Sequence, residues 1–224
     1  MKRLFIAAIL CCICSLSASA QVKYCLSYAD YQEDKWNLLD TLFVKESGTA
    51  RKKWTGADDF RLAVADDSLK KVLKKEAFAV LYHDTLLINC RHIYYHGECF
   101  NNGYTLGYNY GNGRLCFINY LIGDDSGGNT YGGLIFGNGL LGGVLGGYVN
   151  SKTARSMANM RCYLVKREYE GGRIEVQMID DEFMSRFKTK SPEFYAEYMS
   201  VKKKNKRESA VHVLPLLKDW QLIH

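Results

Sequence analysis

Three groups of residues have types and spacings that could do chemistry. Gly137-Asn138-Gly139-Leu140-Leu141-Gly142 matches G-x-G-x-x-G, the turn that brings backbone amides against a pyrophosphate at a helix N-terminus. Cys90, His92, His96 and Cys99 place two thiols and two imidazoles in one short stretch, with His83 nearby. Acidic pairs stand at Asp58-Asp59, Asp66-Asp67, Asp124-Asp125 and Asp180-Asp181. Paired carboxylates perform acid–base work when they face each other across a cleft about 5 to 10 Å wide.

Each pattern lacks a context it needs. A dinucleotide turn follows a strand, opens a helix and has an acidic ribose partner about 20 positions on. Here the preceding region reads as antiparallel hairpins, and no acid holds that place. A phosphate loop needs glycine before its lysine, and Ser151 precedes Lys152. Structural zinc normally takes two short chelating pairs separated by a longer loop. The C-x-H-x3-H-x2-C spacing has no such gap, so Cys90, His92, His96 and Cys99 form only a weak metal set. The plainer reading is a strand with a buried cysteine and a polar loop with exposed histidines. Asp66-Asp67 and Asp180-Asp181 precede helical patterns and read as caps. No G-x-S-x-G or H-E-x-x-H occurs. The sequence therefore predicts no catalytic residue and no cofactor, and leans away from an enzyme.

The elements that would position these residues are legible. Phe60, Leu62 and Val64 alternate with Arg61, Ala63 and Ala65, as in a half-buried strand. DDSLKKVLKKEA then reads as a short amphipathic helix with Asp66 as its cap. His83-Asp84 separates two apolar runs and predicts a hairpin. Asn112-Gly113 predicts a second, pairing Tyr110 with Leu115, Tyr108 with Phe117 and Leu106 with Asn119, so that one apolar face packs on a core. Gly171-Gly172 predicts a third, between MRCYLVKREYE and RIEVQMID. Helices follow, one carrying Phe183, Met184 and Phe187. Another starts at Ser191-Pro192-Glu193 and is open to continuation through VKKKNKR, a run read mainly as a solvated face. VHVLPLLKDWQLI is apolar enough to dock on the body, with Pro215 interrupting it. The fold class is α+β: an antiparallel sheet of hairpins with a few packed helices and a glycine-rich insertion. Residues 21–224 read as a single domain, mainly β over 21–121, glycine-rich over 122–152, and a hairpin plus helices over 153–224.

Within the insertion, Ser126 to Ser151 holds ten of the chain's twenty glycines and contains no charged side chain. Gly139, Gly142, Gly143, Gly146 and Gly147 share one face of a helix. Each glycine costs an exposed helix about 1 kcal/mol, so the stripe predicts a close-packed partner, in protein or membrane. An irregular loop is the alternative. Four polar residues dilute the segment below an autonomous membrane span.

MKRLFIAAILCCICSLSASA has the basic start, short apolar core and small-residue end of a secretory signal, with cleavage before Gln21. A lipoprotein signal needs small residues just before its cysteine, and Ile9 and Leu10 precede Cys11, so the reading is ordinary cleavage with lipidation as the alternative. Removing Lys2 and Arg3 lowers the formal charge from +6 to +4, too mild for a nucleic-acid footprint. Five cysteines remain: Cys25, Cys90, Cys99, Cys116 and Cys162. They predict zero to two disulfides, with the rest serving as small core hydrophobes.

The A-S-A-Q signal end, the Thr55–Phe60 strand start, DTLLINCR, the Asn-Gly hairpin, the glycine block and CYLVKREYEGGRIEVQMIDDEFM together resemble uncharacterised exported proteins of Bacteroidetes-type bacteria, a domain of unknown function. The glycine block is similar to glycine-zipper segments of bacterial envelope proteins. Neither resemblance implies a catalytic residue or a ligand. The expectation is a Sec-exported, non-enzymatic protein, periplasmic or outer-membrane-associated and possibly secreted. It would act by protein contact or membrane-surface contact through the glycine segment. The rival is a secreted enzyme or small-ligand binder using a cleft beside the tyrosine-rich sheet.

Overall fold

The computed structural model describes residues 22–46, 60–100, 103–120, 158 and 160–223. The expected signal segment, the five stripe glycines, Asp58-Asp59 and Asp124-Asp125 lie outside them. The described chain is α+β, with a mixed, mostly antiparallel sheet and several helices.

The strands are β1 (Val22–Cys25), β2 (Asn37–Leu39), β3 (Phe43–Glu46), β4 (Phe60–Ala63), β5 (Ala79–Tyr82), β6 (Thr85–Asn89), β7 (Ile93–Tyr95), β8 (Glu98–Cys99), β9 (Tyr104–Tyr110), β10 (Arg114–Tyr120), β11 (Met160–Glu168) and β12 (Ile174–Met178). Their main order is β2-β1-β5-β6-β9-β10-β11-β12-β7-β8, with β3 and β4 paired to each other and β4 touching β9. The helices are α1 (Tyr28–Gln32), α2 (Asp67–Lys75), α3 (Asp181–Ser185), α4 (Phe187–Lys190), α5 (Pro192–Met199), α6 (Lys204–Arg207) and α7 (Ala210–Asp219).

Local chemistry explains most boundaries. Asp66 Oδ1 accepts from Leu69 N at 2.8 Å, and Asp180 Oδ1 from Phe183 N at 2.9 Å, so each caps its helix as expected. Three other expectations need correction. Ser191 makes no side-chain cap; its carbonyl accepts from Tyr195 N instead. The helix at Pro192 ends before the lysine run, which forms the separate α6. Pro215 does not break its helix: α7 continues through it.

The hairpin at Asn112 is also corrected. Gly111, Asn112 and Gly113 all adopt positive φ (37°, 53° and 70°), so the loop has three residues and not two. Tyr110 then pairs with Arg114, Tyr108 with Cys116 and Gly107 with Phe117. A one-residue slip turns β10 over relative to β9. Tyr108, Leu106 and Tyr110 share a face with Cys116 and Ile118, while Leu115 and Phe117 face the other way.

The slip is tolerated because this sheet is covered on both sides. Successive residues of β11 alternate between two cores: Cys162 and Leu164 in one, Tyr163 and Val165 in the other. The first core lies under α2, α3, α5 and α7, with Leu73, Met184, Phe194, Tyr198, Val213 and Leu217 against the sheet. The second is enclosed by the sheet's own curl. β6 runs through a 3-10 turn (Cys90–His92) into β7, and β7 pairs in parallel with β12. The ladder β6-β9-β10-β11-β12-β7 thus returns to the segment that began it. Phe100, Phe117 and Tyr163 fill the space inside, with ring centroids 4.9 to 5.6 Å apart. Gly107 faces this interior. A Cβ there would lie 2.6 Å from Ile88 Cγ1, so only glycine fits. Across the curl, Glu168 Oε2 accepts from Tyr28 N at 3.0 Å and Ala29 N at 3.2 Å, holding the start of α1 to the end of β11.

One ion pair joins α6 to the first turn of α3, just past the end of β12. The Arg207 side chain, 8% exposed, donates from Nε and Nη2 to both oxygens of Asp181, directly after β12. Its Nη1 donates to the carbonyls of Val201 and Lys202, and Tyr198 OH donates to Asp181 Oδ1 at 2.8 Å. The basic run therefore ends in a buried anchor, whereas its lysines are exposed. Arg207 holds the Asp181 carboxyl below the usual aspartate range. A depressed folded pKa contributes stability above the unfolded value, which is lost as pH falls through the folded one. Replacing Arg207 by Met removes the guanidinium donors of Asp181 and of the Val201 and Lys202 carbonyls, and leaves Asp181 only the Tyr198 hydroxyl among these side-chain donors. We expect a loss of about 2 kcal/mol in urea unfolding at pH 7, with a weaker acid-side decline in stability than in the parent.

Candidate functional site

The β11–β12 hairpin turns at Gly171 and Gly172, whose φ values of 85° and 75° suit glycine. Tyr169 N donates to Arg173 O at 2.8 Å and closes the loop. The parallel pairing of Ile93 with Ile174 and Tyr94 with Glu175 brings β7 alongside. His96 and Gly97, with φ of 49° and 88°, then turn the chain back into β8.

A groove of about 610 Å³ forms between these hairpins and the start of α3. Its walls include Tyr94, Tyr95, Tyr169, Lys166, Arg173 and Glu175, with Gln177, Met178, Asp180 and Glu182 further along β12. Val176 is the one fully buried lining residue. The groove is thus a surface feature.

Glu175 organises its basic end. Oε2 accepts from Arg167 Nε at 2.9 Å and from Tyr169 OH, while Oε1 accepts from Lys166 Nζ at 3.2 Å. The Tyr169 hydrogen bond, then the Arg167 one, hold the Glu175 carboxyl at about 2. The same bond pushes the Tyr169 phenol up. The Arg167 guanidinium lies 4.4 Å from the Tyr169 ring centre, and Arg173 lies 4.5 Å from that of Tyr94. At the other end, Tyr95 packs edge-on against Tyr163 at 5.4 Å. Burial raises its phenol, helped by the Asp180, Glu208 and Glu182 carboxylates.

The weak metal set does not converge. Cys90 is fully buried in the inner core, within a 3-10 turn and not on a strand. His92 Nε2 lies 2.8 Å from Lys75 O. His96 sits in the β7–β8 turn beside Tyr95, and the Cys99 thiol donates to the carbonyls of Arg91 and Phe100. Among the described residues no three of His, Cys, Asp and Glu gather closely enough to hold a metal ion. Cys25, Cys99, Cys116 and Cys162 are free thiols, all but Cys99 buried. No described helix is long and apolar enough to cross a membrane. Of these residues only His96 lines the groove; in the sequence, its wall residue Asp180 reads as a helix cap and most of the others as ordinary hairpin positions. The signal for them was available in KREYEGGRIE, where charge and tyrosine crowd both sides of a turn.

Fold and site define an α+β protein with a curled, two-cored sheet and a polar-aromatic groove at one end. By the match of residues 23–224 to its model, the chain belongs to a family of unknown function, DUF6563. No curated protein and no solved structure matches the chain.

Replacing Glu175 by Gln removes the anion that raises Tyr169. We expect the Tyr169 pKa, followed by tyrosine-ring NMR, to fall toward the ordinary value of about 10, with the fold intact. An unmoved Tyr169 titration would show that the clamp does not form.

Proposed function

We propose that this is an exported, envelope-associated protein that works by contact and not by catalysis, with the groove as its described contact surface. The observation that carries this reading is the groove's make-up: the exposed Tyr169 ring and the half-buried rings of Tyr94 and Tyr95, a basic end and an acidic end, along a sheet edge. Such surfaces recognise partners. Three donors hold Glu175, one of the carboxylates at its basic end, as an anion far below the range useful to a general acid or base. The leader-like first twenty residues support export, and the family match begins just past the expected cleavage point. The uncharged glycine segment suits a second contact, with another envelope protein or a membrane surface. A small-ligand reading gains from the two arginine–tyrosine stacks. However, sites for small molecules usually enclose most of the ligand, and this groove is open along its length.

Fractionation of native cells tests the reading. The chain should begin at Gln21 and sediment with the envelope. A groove variant, Tyr95→Ser with Arg173→Glu, should stay folded and be retained several-fold less. A full-length chain in the cytosol, or retention unchanged by the variant, would refute it.

A further inference from the structure

β12 is longer than the strand beside it. β7 pairs with Ile174 and Glu175 only, then turns away at His96 and Gly97. On its other side β12 stays paired with β11 as far as Met178. Among the described residues no strand pairs with the outer edge of Val176, Gln177 and Met178, and this edge lines the groove. Main-chain donors and acceptors along such an edge are a template for another strand. The groove leaves room for one where β7 has departed.

We propose that this edge takes an extended peptide from a partner protein, added to the sheet as a strand in continuation of β7. The flanking side chains set its character. Side chains of an added strand alternate between the two faces of the sheet. Those pointing inward meet Tyr95 and Met178, which pack against the inner core. Those pointing outward meet Gln177 and the carboxylates of Asp180 and Glu182 at the groove's acidic end. The matching peptide alternates apolar and basic residues. Main-chain hydrogen bonds supply affinity, and the alternating contacts supply selectivity. The inference rests on the contact reading above and names the kind of partner.

The probe is the acetylated heptapeptide Thr-Val-Lys-Val-Lys-Val-Thr, titrated into the isotope-labelled chain. Amide shifts should concentrate at Tyr95, His96 and Val176 to Met178. Two further peptides carry N-methyl groups, one on the valine amides and one on the lysine amides. Only alternate amides of a strand face its neighbour, so one methylated peptide should bind like the parent and the other at least tenfold more weakly. The variant Asp180→Asn with Glu182→Gln keeps a capping side chain on α3 and should bind the parent peptide several-fold more weakly. Equal binding of the two methylated peptides, shifts elsewhere on the protein, or no binding would overturn strand addition. The titration uses purified protein, so its failure leaves the envelope reading to stand or fall on fractionation.

Discussion

The structure turns on one buried side chain. Asn89, 1% exposed, ends β6 at the point where the chain must leave one part of the sheet and enter another. Its Nδ2 donates to the carbonyls of Leu73 and Ala77 at 3.3 and 2.9 Å, and its Oδ1 accepts from Arg91 N at 3.1 Å. Tyr104 OH, from the neighbouring strand, donates to the same Leu73 carbonyl at 2.6 Å. The last turn of α2 and the first turn of the 3-10 segment thus share one set of partners. Buried backbone groups left unpaired there would each cost about 1 to 3 kcal/mol. An apolar residue at this position could fill the volume but not satisfy the carbonyls.

Because the chain bends at Asn89, β7 reaches β12, and three further features follow. The ladder curls, so the aromatic interior around Phe117 and Tyr163 closes with only the short α1, through Tyr28 and Tyr31, on that side. The later helices cover the outer face, where the Arg207–Asp181 pair joins α6 to α3. β7 is also short, because it must turn again at His96 to form β8, and this exposes the distal edge of β12. The groove is a consequence of topology: the charges at its basic end flank the turn that connects β11 to β12, and those at its acidic end stand where β12 passes into α3.

Much of this was readable from residue order. The alternation at Phe60–Ala65, the Asp66 and Asp180 caps, and the turns at His83 and Gly171 needed only local rules, because short-range hydrogen bonds decide them. The Asn112 turn shows where local rules stop. Asn-Gly favours a two-residue loop, but Gly111 supplies a third left-handed residue, and the register shifts. Alternation could not correct the error, since β10 is apolar on both faces. The anchoring role of Arg207 was hidden in a lysine run, because its partner Asp181 is distant in sequence. The groove was hidden for the same reason: the pairing of Tyr94 with Glu175 joins segments about eighty residues apart.

The central claim is that β7 pairs with the first part of β12 and leaves the rest of that edge open. Residue-resolved amide hydrogen exchange on the unliganded protein tests it most directly. The account predicts slow exchange where β7 and β12 meet, around Ile93–Tyr94 and Ile174–Glu175. It also predicts at least one fast amide among Val176, Gln177 and Met178. Uniform protection from Ile174 to Met178, or rapid exchange throughout Ile93–Tyr95, would contradict it.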